Sequence, residues 1–289
     1  MNKVKMALAQ ISCTRGEKTE NLKKIETNLT DAKRQGADLV IFPELALTGY
    51  CVQDQIHSLA ETIPGPSTNA VGEMARRVGM YVAFGMPEIS DARATRGIYN
   101  TAVLIGPEGL VGKYRKMHIP DAAEERHFHP GSEVSVFDTN VGKLGLIICY
   151  DVFFPEVSRL IRLKGAELIV CVSASPKCDE GSPIESQTFL ETLVTARAIE
   201  NTAFVAYVNL TGEDEGMRFW GGSKLVGPNG RTLARAKYDD EDLLLGEVDY
   251  ADIQSVQDFI PIFRDLRPEL LEVLKKEETA GLKEIRATR

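Results

Sequence analysis

Gln35-Gly36-Ala37-Asp38-Leu39-Val40-Ile41 closes a helical pattern and opens a strand, and Lys164-Gly165-Ala166-Glu167-Leu168-Ile169-Val170 does the same later in the chain. Before the first of these, Leu22, Ile25, Leu29 and Ala32 recur at spacings of three and four, which predicts a helix over 21–35 with one apolar face. Gly36 stops it, because glycine takes the left-handed conformation that ends a helix without a Cβ clash. The run from Ala37 to Phe42 is continuous, apolar and partly β-branched, so it reads as a strand buried on both faces. Helix, glycine stop and buried strand occurring twice imply two related layers of an α/β architecture.

Outward from these copies, strands are expected over 4–9, 81–85, 100–105, 144–149 and 243–248, with a further helix over 69–78. Gly106-Pro107-Glu108-Gly109 and Gly227-Pro228-Asn229-Gly230 carry turn chemistry between extended segments. Strands and helices alternate without a Pro/Ser/Gly linker, which favours one α/β domain over 1–257. Residues 258–289 form a tail with an amphipathic helix starting near Pro268, with Leu270, Leu271 and Leu274 on one face. Such a helix docks on its own body or on a partner subunit.

The 289 residues are 43% hydrophobic and 26% charged, which places the chain among soluble globular proteins with a substantial core. Lysine and arginine total 34 against 42 acidic residues, a formal charge of -8 with no long run of one sign, so a dedicated nucleic-acid binder is not expected. The apolar stretches fall short of the roughly 20 residues that span a bilayer. The run after Lys3 and Lys5 breaks at Gln10, too soon for a secretory leader, so a cytoplasmic protein is expected. Cysteines stand at 13, 51, 149, 171 and 178, an odd number with irregular spacing, which reads as free thiols, four of them buried filler.

Cys149 reads differently from the other four. Leu144 to Ile148 is a buried strand that runs straight into its thiol, as Leu39 to Pro43 runs straight into Glu44, and ligands bind at the carboxyl ends of strands in α/β sheets. Pro43 cannot continue a central strand, so Glu44 belongs at the mouth of the sheet, partly desolvated, where a carboxylate becomes a usable base. Tyr150 to Glu156 passes from strand towards helix, which sets the thiol on a sharp elbow with backbone N–H groups aimed at it. Those groups should ease its ionisation and later hold an oxyanion. Lys116, within Lys113-Tyr114-Arg115-Lys116-Met117-His118-Ile119-Pro120, reads by itself as part of a solvated basic stretch. A metal centre built from His118, Glu124, His127 and His129 would need His127 and His129 on a strand, and Pro130-Gly131 speaks for a loop. A papain-like enzyme would instead need a histidine on Cys149, with His118 the best candidate.

Taken together, IFPELALTGY at 41–50, KYRKMHIPD at 113–121 and LGLIICYDVFFPE at 144–156 resemble, in order and spacing, the three signatures of the nitrilase superfamily. The resemblance implies a four-layer α-β-β-α sandwich and a catalytic triad of Glu44, Lys116 and Cys149. Glu124-Glu125-Arg126-His127-Phe128 is similar to the family's Glu-x-Arg-Tyr-Phe stretch, which makes Glu124 a second active-site carboxylate and puts His127 where tyrosine is common. ARAIEN at 196–201 and GGS at 221–223 match further family segments with structural roles. The implied reaction is hydrolysis of a carbon–nitrogen bond in a small linear amide through a thioester, without metal, nucleotide or organic cofactor. Cys149-Tyr150-Asp151 looks like the amidase branches, not the nitrile-cleaving ones. N-carbamoyl compounds, nitriles and a catalytically silent scaffold stand as alternatives. Tyr50, Tyr150, Phe153, Phe154, Ser173 and Ser175, with the loop over 173–185, are expected to line the pocket. The resemblance also implies a homodimer or higher homo-oligomer, paired through helices beside the site.

Overall fold

The computed structural model describes residues 3–52, 54–90, 92, 95–273 and 275–276. The first half of the chain forms β1 (Val4–Gln10), α1 (Lys18–Arg34), β2 (Leu39–Ile41), α2 (Ile56–Leu59), α3 (Pro66–Val78), β3 (Tyr81–Ser90), β4 (Gly97–Gly106), β5 (Gly109–Arg115) and α4 (Ala122–Glu125). The second half adds β6 (Val136–Thr139), β7 (Gly142–Ile148), a 3-10 turn (Cys149–Phe153), α5 (Pro155–Leu163), β8 (Leu168–Ser173), α6 (Ser186–Asn201) and β9 (Phe204–Asn209). It ends with β10 (Thr211–Asp214), β11 (Met217–Trp220), β12 (Lys224–Val226), β13 (Thr232–Arg235), β14 (Asp242–Val248) and α7 (Ala251–Phe259).

The twofold repeat read from the sequence is a repeat of structure. One sheet runs β14-β1-β2-β3-β4-β5, and the other, read from β6, runs β6-β7-β8-β9-β12-β13. Both show the same pairing in that direction: antiparallel, parallel, parallel, antiparallel, antiparallel. The two glycine stops are both left-handed, Gly36 with φ 79° and Gly165 with φ 98°. Even the polar contacts correspond, since Asp38 accepts the Lys5 N–H at 3.0 Å and Glu167 accepts the Lys143 N–H at 3.2 Å. β2 and β8 are therefore equivalent strands flanked by parallel neighbours, which is why both are buried on every face.

Strand periodicity builds the layers. Met6 and Leu8 of β1 enter the core between the sheets, where they join Leu144 and Leu146 of β7. Ala7 and Ala9, on the other face, pack with Ile25 and Leu29 of α1 and Val71 and Ala75 of α3. On the far side Ile161 of α5 and Val194 and Ala198 of α6 join the core of the second sheet. Gly145 lets α5 come close, because a Cβ there would lie 2.1 Å from Ile161 Cγ2. The result is the α-β-β-α sandwich, with the carboxyl ends of β2, β7 and β8 brought together.

Several elements depart from the sequence reading. α3 begins at Pro66, which needs no N–H at a first helical position. β3 and β4 are ten residues each, longer than the expected 81–85 and 100–105, and Glu88 in the added length of β3 is paired inside, accepting from Thr101, Lys113 and Arg115. α7 was not anticipated, and the expected boundary at 257/258 falls within it. Residues 268–273 are helical with Leu270 and Leu271 exposed, while Leu274 lies outside the described residues. Phe263 of the tail sits 5.0 Å from the Arg159 guanidinium and 5.1 Å from that of Arg162. Cys51 and Cys171 are buried filler as expected, but Cys178 is exposed, on the loop after β8. Among the described residues, no helix is long and apolar enough to cross a membrane.

Candidate active site

Glu44, Lys116 and Glu124 meet as one buried ionic cluster. Lys116 Nζ donates to Glu44 Oε1 at 2.9 Å and to Glu124 Oε1 and Oε2 at 3.0 and 2.9 Å. All three residues are 2% exposed or less, so Lys116 is no part of a solvated basic stretch. It is the residue just past β5, where its backbone N–H bonds to the Asn100 carbonyl and its carbonyl accepts from Gly131. Burial alone would lower the Lys116 ammonium, but the charges of Glu44 and Glu124 together outweigh it and hold Lys116 above the ordinary lysine range.

Glu44 accepts three hydrogen bonds, two on Oε1 and one on Oε2. Asn100 Nδ2 donates to Oε1 at 2.7 Å, alongside Lys116, and the Ala174 N–H donates to Oε2 at 2.8 Å. The turn that presents it is strained, with Leu45 left-handed at φ 50°. Gly85 on β3 makes this possible by passing so close that a Cβ would lie 2.4 Å from Leu45 N. Glu124 is held from the other side by Tyr50, whose hydroxyl donates to Oε1 at 2.6 Å. Burial and the neighbouring Glu44 charge raise the Glu124 carboxyl above its usual range, with the Lys116 ammonium opposing them. One ammonium between two carboxylates leaves an excess negative charge in a dry place, so Glu124 takes a proton more readily than a solvated carboxylate does.

Cys149 follows β7 on the elbow foreseen in the sequence, with φ 44°, a conformation uncommon for a residue with a side chain. Its thiol lies beside Ser173 and the Ala174 backbone, within the field of Glu44 and Lys116. The expectation that backbone N–H groups leave it easily ionised is overturned. Burial, then the Glu44 charge, push the thiol up to about 12, against the lowering effects of Lys116, Ser173 and Ala174. At rest the sulfur keeps its proton, and a base must remove it.

The other expected pocket residues divide. Tyr50 and Ser173 are at the cluster, and Tyr50 also meets Phe219 of β11 edge-on at 5.7 Å. Ser175 is buried behind it, its N–H donated to Asn209 at 2.7 Å. Tyr150 and Phe153 form an aromatic group with Phe154 and Phe189 and make no polar contact with the cluster. The loop after β8 is tied to the β10–β11 hairpin, where Lys177 N–H bonds to Arg218 O at 2.7 Å, and the two enclose a cleft of about 920 Å³.

Sequence reasoning missed Asn100, although an asparagine within the apolar run of β4 is a signal, and it missed Asp151, two residues after Cys149. His118 does not serve Cys149: its Nδ1 pairs with Asp151 Oδ1 at 2.8 Å and its ring stacks on Phe154 at 3.6 Å. Glu124 is taken by Lys116, and His129 lies against Tyr99, so the four residues of the metal reading do not converge. Among the described residues, no group of three or more His, Cys, Asp or Glu side chains is placed to hold a metal ion.

Comparison with known proteins identifies the family. The carbon–nitrogen hydrolase family model matches residues 5–258. A nitrilase of Pyrococcus abyssi is 34% identical over 92% of this chain and 98% of its own length. An omega-amidase of Bos taurus is 31% identical over 94% of this chain and 98% of its own. Among solved structures, a Nesterenkonia amidase from the nitrilase superfamily superposes with a TM-score of 0.79 at 28% identity, covering 94% of this chain and 97% of that one. The chain belongs to the carbon–nitrogen hydrolase family of the nitrilase superfamily.

Proposed function

We propose that this hydrolase cleaves the carbon–nitrogen bond of a small linear amide, giving a carboxylic acid and ammonia, with Cys149 as nucleophile, Glu44 as general base and acid, and Lys116 as oxyanion partner. The observation that carries the reading is the Cys149 thiol placed within the field of a buried Glu44 carboxylate, which keeps acceptor capacity on Oε2, and a buried Lys116 ammonium. Glu44 takes the Cys149 proton as the sulfur bonds to the amide carbon, and Lys116 with the Tyr150 N–H holds the oxyanion. Removing one such donor costs on the order of 100- to 1000-fold in turnover. Glu44 then gives the proton to the nitrogen as the carbon–nitrogen bond breaks, ammonia leaves, and a thioester remains. Water attacks it after losing a proton to Glu44, and that proton returns to the sulfur as the acid departs. Glu124, pinned by Tyr50, orients the substrate nitrogen or the water.

The names of similar proteins, an omega-amidase and an amidase, support an amide substrate. A relative named citrullinase, 30% identical over 96% of this chain, favours a carbamoyl compound as the second reading. In this reading the protein acts in the cytoplasm and assembles as a homodimer or higher oligomer; the assembly is supported by the apolar side chains that α5 and α6 expose, Leu160, Leu163, Phe189 and Ile199. The test is ammonia release by wild type and Cys149→Ala over small amides, carbamoyl compounds and nitriles. Amide turnover that vanishes in the variant supports the proposal; preference for a carbamoyl compound selects the second reading; turnover that survives in the variant rejects the mechanism.

A further inference from the structure

Asp151 is fully buried, and its two oxygens accept four hydrogen bonds from three places in the chain. Oδ1 accepts from the His118 N–H at 3.0 Å and His118 Nδ1 at 2.8 Å. Oδ2 accepts from the Tyr114 hydroxyl at 2.8 Å and the Ile148 N–H at 3.1 Å. Tyr114 and His118 each stand two residues from Lys116, on opposite sides of it. Ile148, one residue before Cys149, and Asp151, two after it, bracket the thiol. A single carboxylate thus joins the segment that carries the ammonium to the elbow that carries the thiol.

The rest of the elbow is clamped from α6. Arg197 Nε donates to the Val152 carbonyl at 2.8 Å and its Nη2 to that of Phe153 at 3.3 Å. Those bonds hold the end of the turn but reach nothing near Lys116. The left-handed Cys149 needs such over-determination, because a strained residue keeps its conformation only where its surroundings impose it.

Resting on the proposed triad, we infer that Asp151 is a positioning residue for the reaction: it fixes the distance and direction between Cys149 Sγ and Lys116 Nζ. It does not touch substrate. Asp151→Asn keeps the shape but turns one acceptor into an N–H pair facing two donors, so one side of the bracket opens. A misplacement of about 1 Å at reacting groups costs roughly 100-fold.

The experiment compares wild type, Asp151→Asn and Tyr114→Phe, the last removing one donor and little else. On the amide that wild type turns over best, kcat falls about 10- to 100-fold in Asp151→Asn and less in Tyr114→Phe, while KM stays within about twofold. Alkylation of Cys149 by iodoacetamide slows in both, and that of exposed Cys178 does not change. If Asp151→Asn does not fold, Tyr114→Phe decides alone. Activity that depends on Cys149 but keeps its kcat in these variants overturns the inference and leaves the triad standing. Activity that survives Cys149→Ala removes the triad itself.

Discussion

Gly85→Ala is a single methyl added to β3, away from every polar group of the cluster, yet it should disable the enzyme. Gly85 bonds to the turn that presents Glu44 on both sides, donating to Pro43 O at 3.0 Å and accepting from Leu47 N at 3.3 Å. A Cβ there would lie 2.4 Å from Leu45 N, 2.7 Å from Glu44 Cα and 2.9 Å from Glu44 C, all backbone atoms that cannot swing away. Ordinary contact needs about 3.5 Å, so turn and strand must separate by roughly 1 Å. The overpacking costs about 1–3 kcal/mol, and the displacement of Glu44 costs turnover roughly 100-fold. Ammonia release and a urea titration of the same sample measure both. A folded variant with turnover within twofold of wild type would refute the steric argument and the placement of Glu44 that rests on it.

Gly72, within α3, is the opposite case: an added Cβ meets only Ile105 Cγ2, at 4.0 Å, so Gly72→Ala should stabilise the protein by about 0.4–1 kcal/mol in urea titrations without changing turnover. Lys116→Met leaves Glu44 and Glu124 facing each other unneutralised and should cost about 3–5 kcal/mol. Because Glu124 is already raised, that deficit should shrink as pH falls and the carboxyl takes up a proton, which urea midpoints at several pH values will show. For Cys149 the sign is the same, at higher pH. Its thiol is raised from 9.0 to about 12, so the stabilisation it contributes is complete below 9.0, where both states are protonated, and is lost between 9.0 and about 12, where the unfolded thiol ionises first. Cys149→Ala should therefore lose less stability than wild type across that interval.

Much of the fold was legible because its signals are local. The doubled Gly36 and Gly165 stops and the apolar runs that follow them carry the repeat, and the structure extends that repeat to whole sheets. Longer-range compensation was hidden. The strand expected over 81–85 runs on through Glu88, whose distant partners Lys113 and Arg115 make it a buried strand residue. Lys116 alone read as solvated, because its carboxylate partners stand 72 and 8 residues away in sequence. Asn100 and Asp151 act through geometry that no spacing reveals. The resting state of Cys149 was misjudged because N–H dipoles can be guessed from an elbow, whereas the depth of burial and the charge of Glu44 beside it cannot.

The most direct test of the account is the mass of the enzyme during turnover. Wild type mixed with a good amide and quenched in acid should carry one added acyl group on the peptide containing Cys149, removable by hydroxylamine, and Cys149→Ala should carry none. Turnover without any acylated Cys149, together with undiminished ammonia release by Cys149→Ala, would contradict a thioester mechanism.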